Sequence, residues 1–181
     1  YEEIINIHKT KKGFNIETSK NKYSAKKVII ATGFYDFPYL LNIPGENLSK
    51  VKHYYSEPHP YFGMNLAIIG SANSAVDAAL ETYRKGAKKV TMIIREKQIG
   101  ENVKYWARPD IINRIKEGSI TAYFNSEVIK IFKTSILIKS KNKEIKIKND
   151  FVLAMTGYQP NFKLLKSLGV DFKKDKYKTP R

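Results

Sequence analysis

Cysteine is absent from all 181 residues, so the chain holds no disulfide, no thiolate metal site and no redox-active thiol pair of its own. Histidine is scarce: His8, His53 and His59 share no metal-ligand spacing, which leaves no metal centre to expect. No apolar run approaches the roughly 18 residues needed to span a membrane. The first residues read as a strand rather than a signal peptide, and a cytoplasmic location is the expectation. Acidic residues are outnumbered, 17 against 33 Lys and Arg, for a formal charge of +16. Such an excess invites a nucleic-acid partner. The lysines, however, are scattered through hairpins such as Lys139 to Lys148, with no basic stripe interleaved with aromatics, so no nucleic-acid partner is expected.

What the chain does have is centred on Leu66 to Leu80, reading Leu-Ala-Ile-Ile-Gly-Ser-Ala-Asn-Ser-Ala-Val-Asp-Ala-Ala-Leu. An apolar β-type run ends in Gly70, small residues follow, and Ala75, Val76, Ala79, Leu80 and Tyr83 then recur on one helical face. The order is strand, tight turn, helix. Unpaired amides at a helix N-terminus attract anions, and a turn of Gly70, Ser71 and Ala72 lets a pyrophosphate approach the backbone closely. Gly70 and Ala75 hold the first and third positions of the GxGxxG/A dinucleotide fingerprint, and Ala72 replaces the second glycine. Ser71, Asn73 and Ser74 supply further side-chain bonds at the turn or cap the helix.

Gly86 closes that helix, and Val90 to Ile94 form a second apolar run, completing a βαβ unit. About 20 residues beyond the fingerprint, an acidic side chain marks NAD and an arginine marks NADP. Arg95 stands there, followed by Glu96 and Lys97. Arg95, with Lys97 as a second contact, is therefore the expected reader of a ribose 2′-phosphate, and NADPH the expected cofactor.

Ile4 to His8, Phe14 to Thr18 and Tyr23 to Thr32 read as an opening antiparallel meander whose last run, Val28 to Thr32, is apolar throughout and expected to be buried on both faces. A proline- and aromatic-rich connection runs from Phe34 to Phe62. Beyond the βαβ unit, Pro109 is expected to start a helix that turns Ile111, Ile112 and Ile115 inward and ends at Gly118. Strands are then expected at Thr121 to Phe124, Val128 to Phe132, Ile136 to Ile138 and Glu144 to Lys148, closing with Phe151 to Gly157. The two meanders resemble each other, ending in Thr32-Gly33-Phe34 and Thr156-Gly157-Tyr158, each followed by a proline. This suggests two copies of one nucleotide-binding architecture. The Gly70 turn precedes Thr156 by 86 residues, and the same spacing carried back from Thr32 falls before Tyr1, so the first copy is expected to be truncated. Leu164, Leu165, Leu168 and Val170 form a short amphipathic turn before a polar end, Lys173 to Arg181.

These residues resemble the two-dinucleotide-domain flavoprotein reductases of thioredoxin-reductase-like layout. Ala31-Thr32-Gly33 and Met155-Thr156-Gly157 match the Ala-Thr-Gly that ends the last strand before each crossover in that family. The stretch from His53 to Gly63, where thioredoxin reductases proper carry a Cys-x-x-Cys pair, has no cysteine, which excludes a direct dithiol relay through this domain. That stretch looks like the bacillithiol-disulfide reductase branch, together with Leu41 to Glu46, Val103-Lys104-Tyr105-Trp106 and Asn149 to Tyr158.

The resemblance implies an α/β fold: a Rossmann-like, three-layer NAD(P)-binding domain with a β-meander, inserted in a fragment of an FAD-binding domain of the same type. Residues 1–61 would be the last part of the first half of the FAD domain, 62–157 the NADPH domain and 158–181 the return. It further implies an enzyme that passes hydride from NADPH to FAD and on to a small disulfide, and a homo-oligomer when full length. Thr32 and Gly33 would approach the flavin dinucleotide, and Thr156 and Gly157 would lie near the nicotinamide path. A flavin monooxygenase, with a similar Gly-Ser-x-Asn-Ser-Ala turn, a ferredoxin or flavodoxin reductase and a non-enzymatic nucleotide-sensing or basic binding module are the alternatives. Lys104, Tyr105 and Trp106 could cover the adenine, but the aromatics are expected to be packed instead.

Overall fold

The structure is a computed structural model that describes residues 1–35 and 37–168. It divides into two compact units, one formed by Tyr1–Pro38 with the segment from Tyr158 onward, the other by Tyr39–Gly157.

In the first unit, β1 (Ile4–Thr10), β2 (Gly13–Thr18) and β3 (Lys22–Ala25) form the expected antiparallel meander, joined by tight turns. The third strand is shorter than expected. Val28 to Thr32 form no strand, and Ile29 is 92% exposed. An apolar run becomes a buried strand only where neighbours pair with its backbone and cover both faces. Among the described residues nothing pairs with this one. A two-residue strand, β4 (Phe37–Pro38), lies antiparallel to β13 (Tyr158–Gln159). The last helix, α3 (Phe162–Ser167), is capped by the Asn161 side chain, which accepts from the Leu164 amide at 3.0 Å. Val170 and the stretch Lys173 to Arg181 lie outside the described residues.

The second unit is three layers deep. Its middle is a parallel sheet in the order β5-β12-β6-β7-β8, formed by β5 (Val51–Lys52), β6 (Asn65–Ile69), β7 (Lys89–Ile93), β8 (Thr121–Tyr123) and β12 (Phe151–Ala154). Side chains alternate across a strand, so its two faces bury different sets. Leu66 and Ile68 of β6, Met92 of β7 and Leu153 of β12 pack under α1 (Asn73–Arg84) and α2 (Ala107–Lys116). Ala67 and Ile69, Ile93, and Val152 with Ala154 face Val128, Ile131, Ile136 and Ile138 of the antiparallel sheet β9 (Ser126–Ile131), β10 (Ser135–Ser140) and β11 (Lys143–Lys148). Burying each large apolar side chain is worth about 1.5–3 kcal/mol. A surface ion pair such as Arg84–Asp110, which joins α1 to α2, contributes about 0–1 kcal/mol. The two apolar seams therefore hold the layers together.

Helix ends follow the chain's punctuation. The Gly86 amide bonds the Tyr83 carbonyl and the Ala87 amide the Thr82 carbonyl, a Schellman arrangement made possible by Gly86 at φ 90°. Helix α2 starts two residues before Pro109, which sits in a first turn whose amides have no intrahelical partner in any case. It buries Ile111 completely and Ile112 and Ile115 in part. The connection from Phe34 to Phe62 holds a surprise in β5, an edge strand too short to show any periodicity.

The N-terminal edge of the parallel sheet is pinned by polar groups. Asp150 Oδ2 accepts from the Asn65 backbone amide at 2.7 Å and from its side-chain amide at 2.8 Å. Beside it, buried Lys50 donates to Oδ1 and the carbonyl of Asn149. The Asn65 backbone bond foremost, then its side-chain bond and the Lys148 and Lys50 charges, hold the Asp150 carboxyl below the usual carboxylate range against the opposing effect of burial. A carboxyl whose folded pKa is depressed adds stability above its unfolded value, about 3.9, and loses it as pH falls through the folded one. Asp150→Asn is thus expected to destabilise the intact protein by about 1 kcal/mol at neutral pH. The gap in melting temperature to the parent should narrow as pH falls below the unfolded value of about 3.9. Thermal unfolding followed across that range checks it.

Candidate functional site

Three strand ends meet around Gly70. Its amide donates to the Ile93 carbonyl of β7 at 3.1 Å, and a Cβ in its place would lie 2.6 Å from the Met155 carbonyl oxygen just beyond β12. With φ at 127°, only glycine fits. The same Cβ would come within 3.3 Å of the Ala75 methyl, so a small residue at position 75 lets α1 pack close to the strand it follows.

Ala72 is the N-cap of α1, with φ −88° and ψ −176°, a conformation open to any residue. The missing second glycine of the fingerprint is therefore no backbone defect, and the methyl is solvent-exposed. No side chain caps the helix. Its first intrahelical bond runs from the Val76 amide to the Ala72 carbonyl at 3.0 Å, which leaves the amides of Asn73, Ser74 and Ala75 outside the intrahelical ladder. The capping expected of Asn73 or Ser74 does not occur. Asn73 Oδ1 instead accepts from the Lys104 backbone amide at 2.8 Å, and the Lys104 ammonium reaches Asp77 one turn along at 2.6 Å. Ser74 is exposed, and Ser71 donates its hydroxyl to Glu96 Oε2 at 2.9 Å. The corner is open, small and rich in unspent N–H groups, which suits a dinucleotide pyrophosphate.

The segment beyond β7 frames this corner. Ile94 donates to the Tyr123 carbonyl, Ser126 to that of Ile94 and Asn125 to that of Glu96, so residues 94–96 continue the track of β7 beside the β8–β9 connection. Arg95 and Lys97 are exposed there. Buried Ile99 and Val103 then anchor a loop that returns to α1, with Gly100 passing beside Ser71. At the end of this loop Tyr105 and Trp106 are 83% and 62% exposed, contrary to the expected packing, in an edge-to-face pair with centroids 4.8 Å apart. Their neighbours Val103 and Ala107 take the core positions instead.

Because β12, β6 and β7 run parallel, Thr156 and Gly157, Gly70 to Ala75, and Arg95 all stand at one edge of the sheet. The Thr156 hydroxyl donates to the Tyr39 carbonyl at 2.6 Å, and the Gly157 carbonyl accepts from the Tyr39 amide at 3.0 Å. Thr32 and Gly33 belong to the other unit, exposed and outside any strand. His53 pairs with buried Glu46, whose oxygens accept from the Leu41 and Asn42 amides, a structural assignment. Among the described residues no group of three or more metal-binding side chains comes together, and no helix is long and apolar enough to cross a membrane.

One feature was not legible in advance. A pocket of about 320 Å³ opens beside Arg95, lined also by Asn125, Ser126, Glu127, Lys139, Lys141 and Asn142. The hairpin lysines read as solvated surface charge in sequence, because nothing in their spacing brings the tip of β10–β11 to Arg95.

Comparison with known proteins accords with this architecture. The chain is 44% identical to the bacilliredoxin reductase Bdr of Bacillus subtilis over 163 residues, which cover 90% of this chain and 50% of that protein. It superposes with a TM-score of 0.92 and 37% identity on a structure described as the bacillithiol disulfide reductase Bdr from Bacillus cereus, covering 96% of this chain and 55% of that one. With thioredoxin reductase from T. acidophilum the TM-score is 0.74 at 26% identity, over 96% of this chain and 58% of the other. The chain thus spans about half the length of the relatives it matches. The family model for pyridine nucleotide-disulphide oxidoreductases matches residues 1–180, and with the three-layer fold and the open corner at Gly70 already described, the chain belongs to that family.

Proposed function

We propose that this chain is the nicotinamide-dinucleotide part of an NADPH-dependent, FAD-containing enzyme that reduces a low-molecular-weight disulfide. The observation that carries the reading is the uncapped N-terminus of α1 against a glycine that no other residue can replace. The amides of Asn73, Ser74 and Ala75 are available for a pyrophosphate, with Ser71 at the rim. Arg95 and Lys97 are assigned to the 2′-phosphate, Thr156 and Gly157 to the nicotinamide side, and Thr32 and Gly33 to the flavin. The tether from Asn73 to Lys104 keeps the loop after β7 against the corner and so shapes the adenosine side. Bound NADPH supplies a hydride. Over a full turnover its two electrons and one further proton convert one disulfide to two thiols.

The name of the Bacillus cereus structure, a bacillithiol disulfide reductase, supports the substrate class, whereas the Bacillus subtilis relative is named for a bacilliredoxin. With no cysteine in the chain, thiol exchange falls to residues outside it. The division into residues 1–61, 62–157 and 158–181, the FAD-binding character of the flanking segments, a cytoplasmic location and homo-oligomerisation belong to the same proposal. Under it, Val28 to Thr32 would join a sheet completed by residues outside this chain. Glu96 favours a second reading, NADH as the donor, since a carboxylate at the end of the second strand is what NAD sites place against the ribose.

Arg95→Ala in the intact protein separates the two. The apparent KM for NADPH is expected to rise about tenfold or more and that for NADH to stay within about twofold. An unchanged NADPH constant would remove Arg95 as the phosphate reader.

Ala72→Asp tests the corner through opposite signs. A carboxylate at the N-cap should raise helix stability by about 1 kcal/mol, seen as a higher melting temperature. The same charge sits where the pyrophosphate is assigned. Calorimetric affinity for NADPH and NADH alike should fall more than about thirtyfold.

A further inference from the structure

We propose that the tip of the β10–β11 hairpin is part of the cofactor site: Lys141, assisted by Lys139, completes with Arg95 a pocket for the ribose 2′-phosphate and sets how strongly NADPH is preferred over NADH. This rests on the reading of the Gly70 corner as a nicotinamide-dinucleotide site.

Position is the first support. From Gly70 at the end of β6 the sheet continues to β7 and then β8. Adjacent strands are about 4.8 Å apart, so the end of β7 and the β8–β9 connection lie roughly one and two spacings from the corner. Arg95 and Asn125 occupy those two places and line the pocket. Glu96 is tied to Ser71, leaving Arg95 as the charged side chain of that segment that faces the cavity.

Charge is the second. The lining holds Arg95, Lys139 and Lys141 against Glu127, an excess of positive charge suited to a phosphomonoester dianion. None of the ion pairs among the described residues uses these three cations. In the strand register Lys139 stands opposite Glu127 on one side and Glu144 on the other, which tempers its charge. Lys141, at the tip beyond the ladder, has no such cross-strand partner. Asn125, Ser126 and Asn142 add hydrogen-bonding groups to the lining.

Backbone conformation is the third. Lys141 and Asn142 have φ of 46° and 64°, the two-residue primed turn that joins twisted strands most tightly. Asparagine and glycine favour that geometry, and lysine does not. Asn125, at φ 49°, lines the pocket too, so three of the four described non-glycine residues with positive φ belong to its lining. The turn carries a lysine where asparagine would suit the backbone better, which places a cationic residue in the pocket lining.

Lys141→Asn removes the charge while improving the turn. In the intact flavin-loaded protein, the dissociation constant for NADPH and the inhibition constant for adenosine 2′-monophosphate are expected to weaken about five- to tenfold. Those for NADH and adenosine 5′-monophosphate should be unchanged, and the melting temperature equal or higher. A Lys139→Ala/Lys141→Asn pair should extend the loss for the 2′-phosphorylated ligands only. Unchanged NADPH binding in both variants, with Arg95→Ala still selective, would overturn the hairpin's role and leave the nucleotide reading intact. Equal losses for NADPH and NADH would also overturn it, since a 2′-phosphate reader cannot affect a cofactor that lacks the phosphate. An unsubstituted protein that binds neither dinucleotide would sink the underlying reading, and this proposal with it.

Discussion

The second unit depends on one close approach. Gly70 has to pass between the Ile93 carbonyl, to which it donates, and the Met155 carbonyl, which would clash with any side chain carbon. That single passage couples three parallel strands at their C-terminal ends and aims α1 along its axis. A bulkier residue would push β12 away from β6 or lift the helix, and either movement would spoil the row of free amides. The geometry of the Gly70 corner is thus a consequence of how tightly the sheet closes, and the two cannot be varied separately.

The rest of the unit keeps that passage rigid. Apolar side chains on both faces of the parallel sheet lock it between a helical layer and the antiparallel β9–β11 sheet. Its two edges are treated differently. At the N-terminal edge, Asp150, Asn65, Lys50 and Asn149 satisfy one another, so that end is closed by mutual hydrogen bonding. At the C-terminal edge the first-turn amides of α1 lie outside the helix ladder, and the nearby arginine and hairpin lysines make no ion pairs among the described residues. Buried polar groups left unmatched are costly, so groups left unmatched at an accessible edge mark where a ligand or solvent completes them.

Local pattern made much of this legible. The apolar run into Gly70, the helical spacing of Ala75, Val76, Ala79 and Leu80, and the alternation of Ile145 and Ile147 with lysines each specify a local conformation that the fold adopts. What depends on neighbours was not legible. Val28 to Thr32 has the composition of a buried strand, yet composition expresses only a tendency to be covered, and in the described residues no strand lies alongside to form the ladder. Asn73 has the chemistry of a cap, but a backbone amide 31 residues away competes for its oxygen. Tyr105 and Trp106 are apolar enough to pack, but the core positions of their loop are taken by Ile99 and Val103, which leaves the two rings outside. The pocket at Arg95 is built by a hairpin whose tip reaches the end of β7 only once the antiparallel sheet has docked, and no linear spacing encodes that.

The mixture of cations at this pocket has its own physical logic. Arg95 contributes a planar fork that matches two phosphate oxygens at once, whereas lysine is a compact, strongly hydrated point charge on a flexible stem. Direction therefore comes from the arginine, and the lysines add attraction without adding much geometry. A chain with 33 basic residues can supply such attraction from many places, but most of it is screened beyond about 8–10 Å at ordinary ionic strength. Only cations carried to the pocket by the fold would act at contact range on the phosphate proposed to bind there. Under the proposed function, the +16 net charge is a diffuse field in which a few placed charges would do the discriminating.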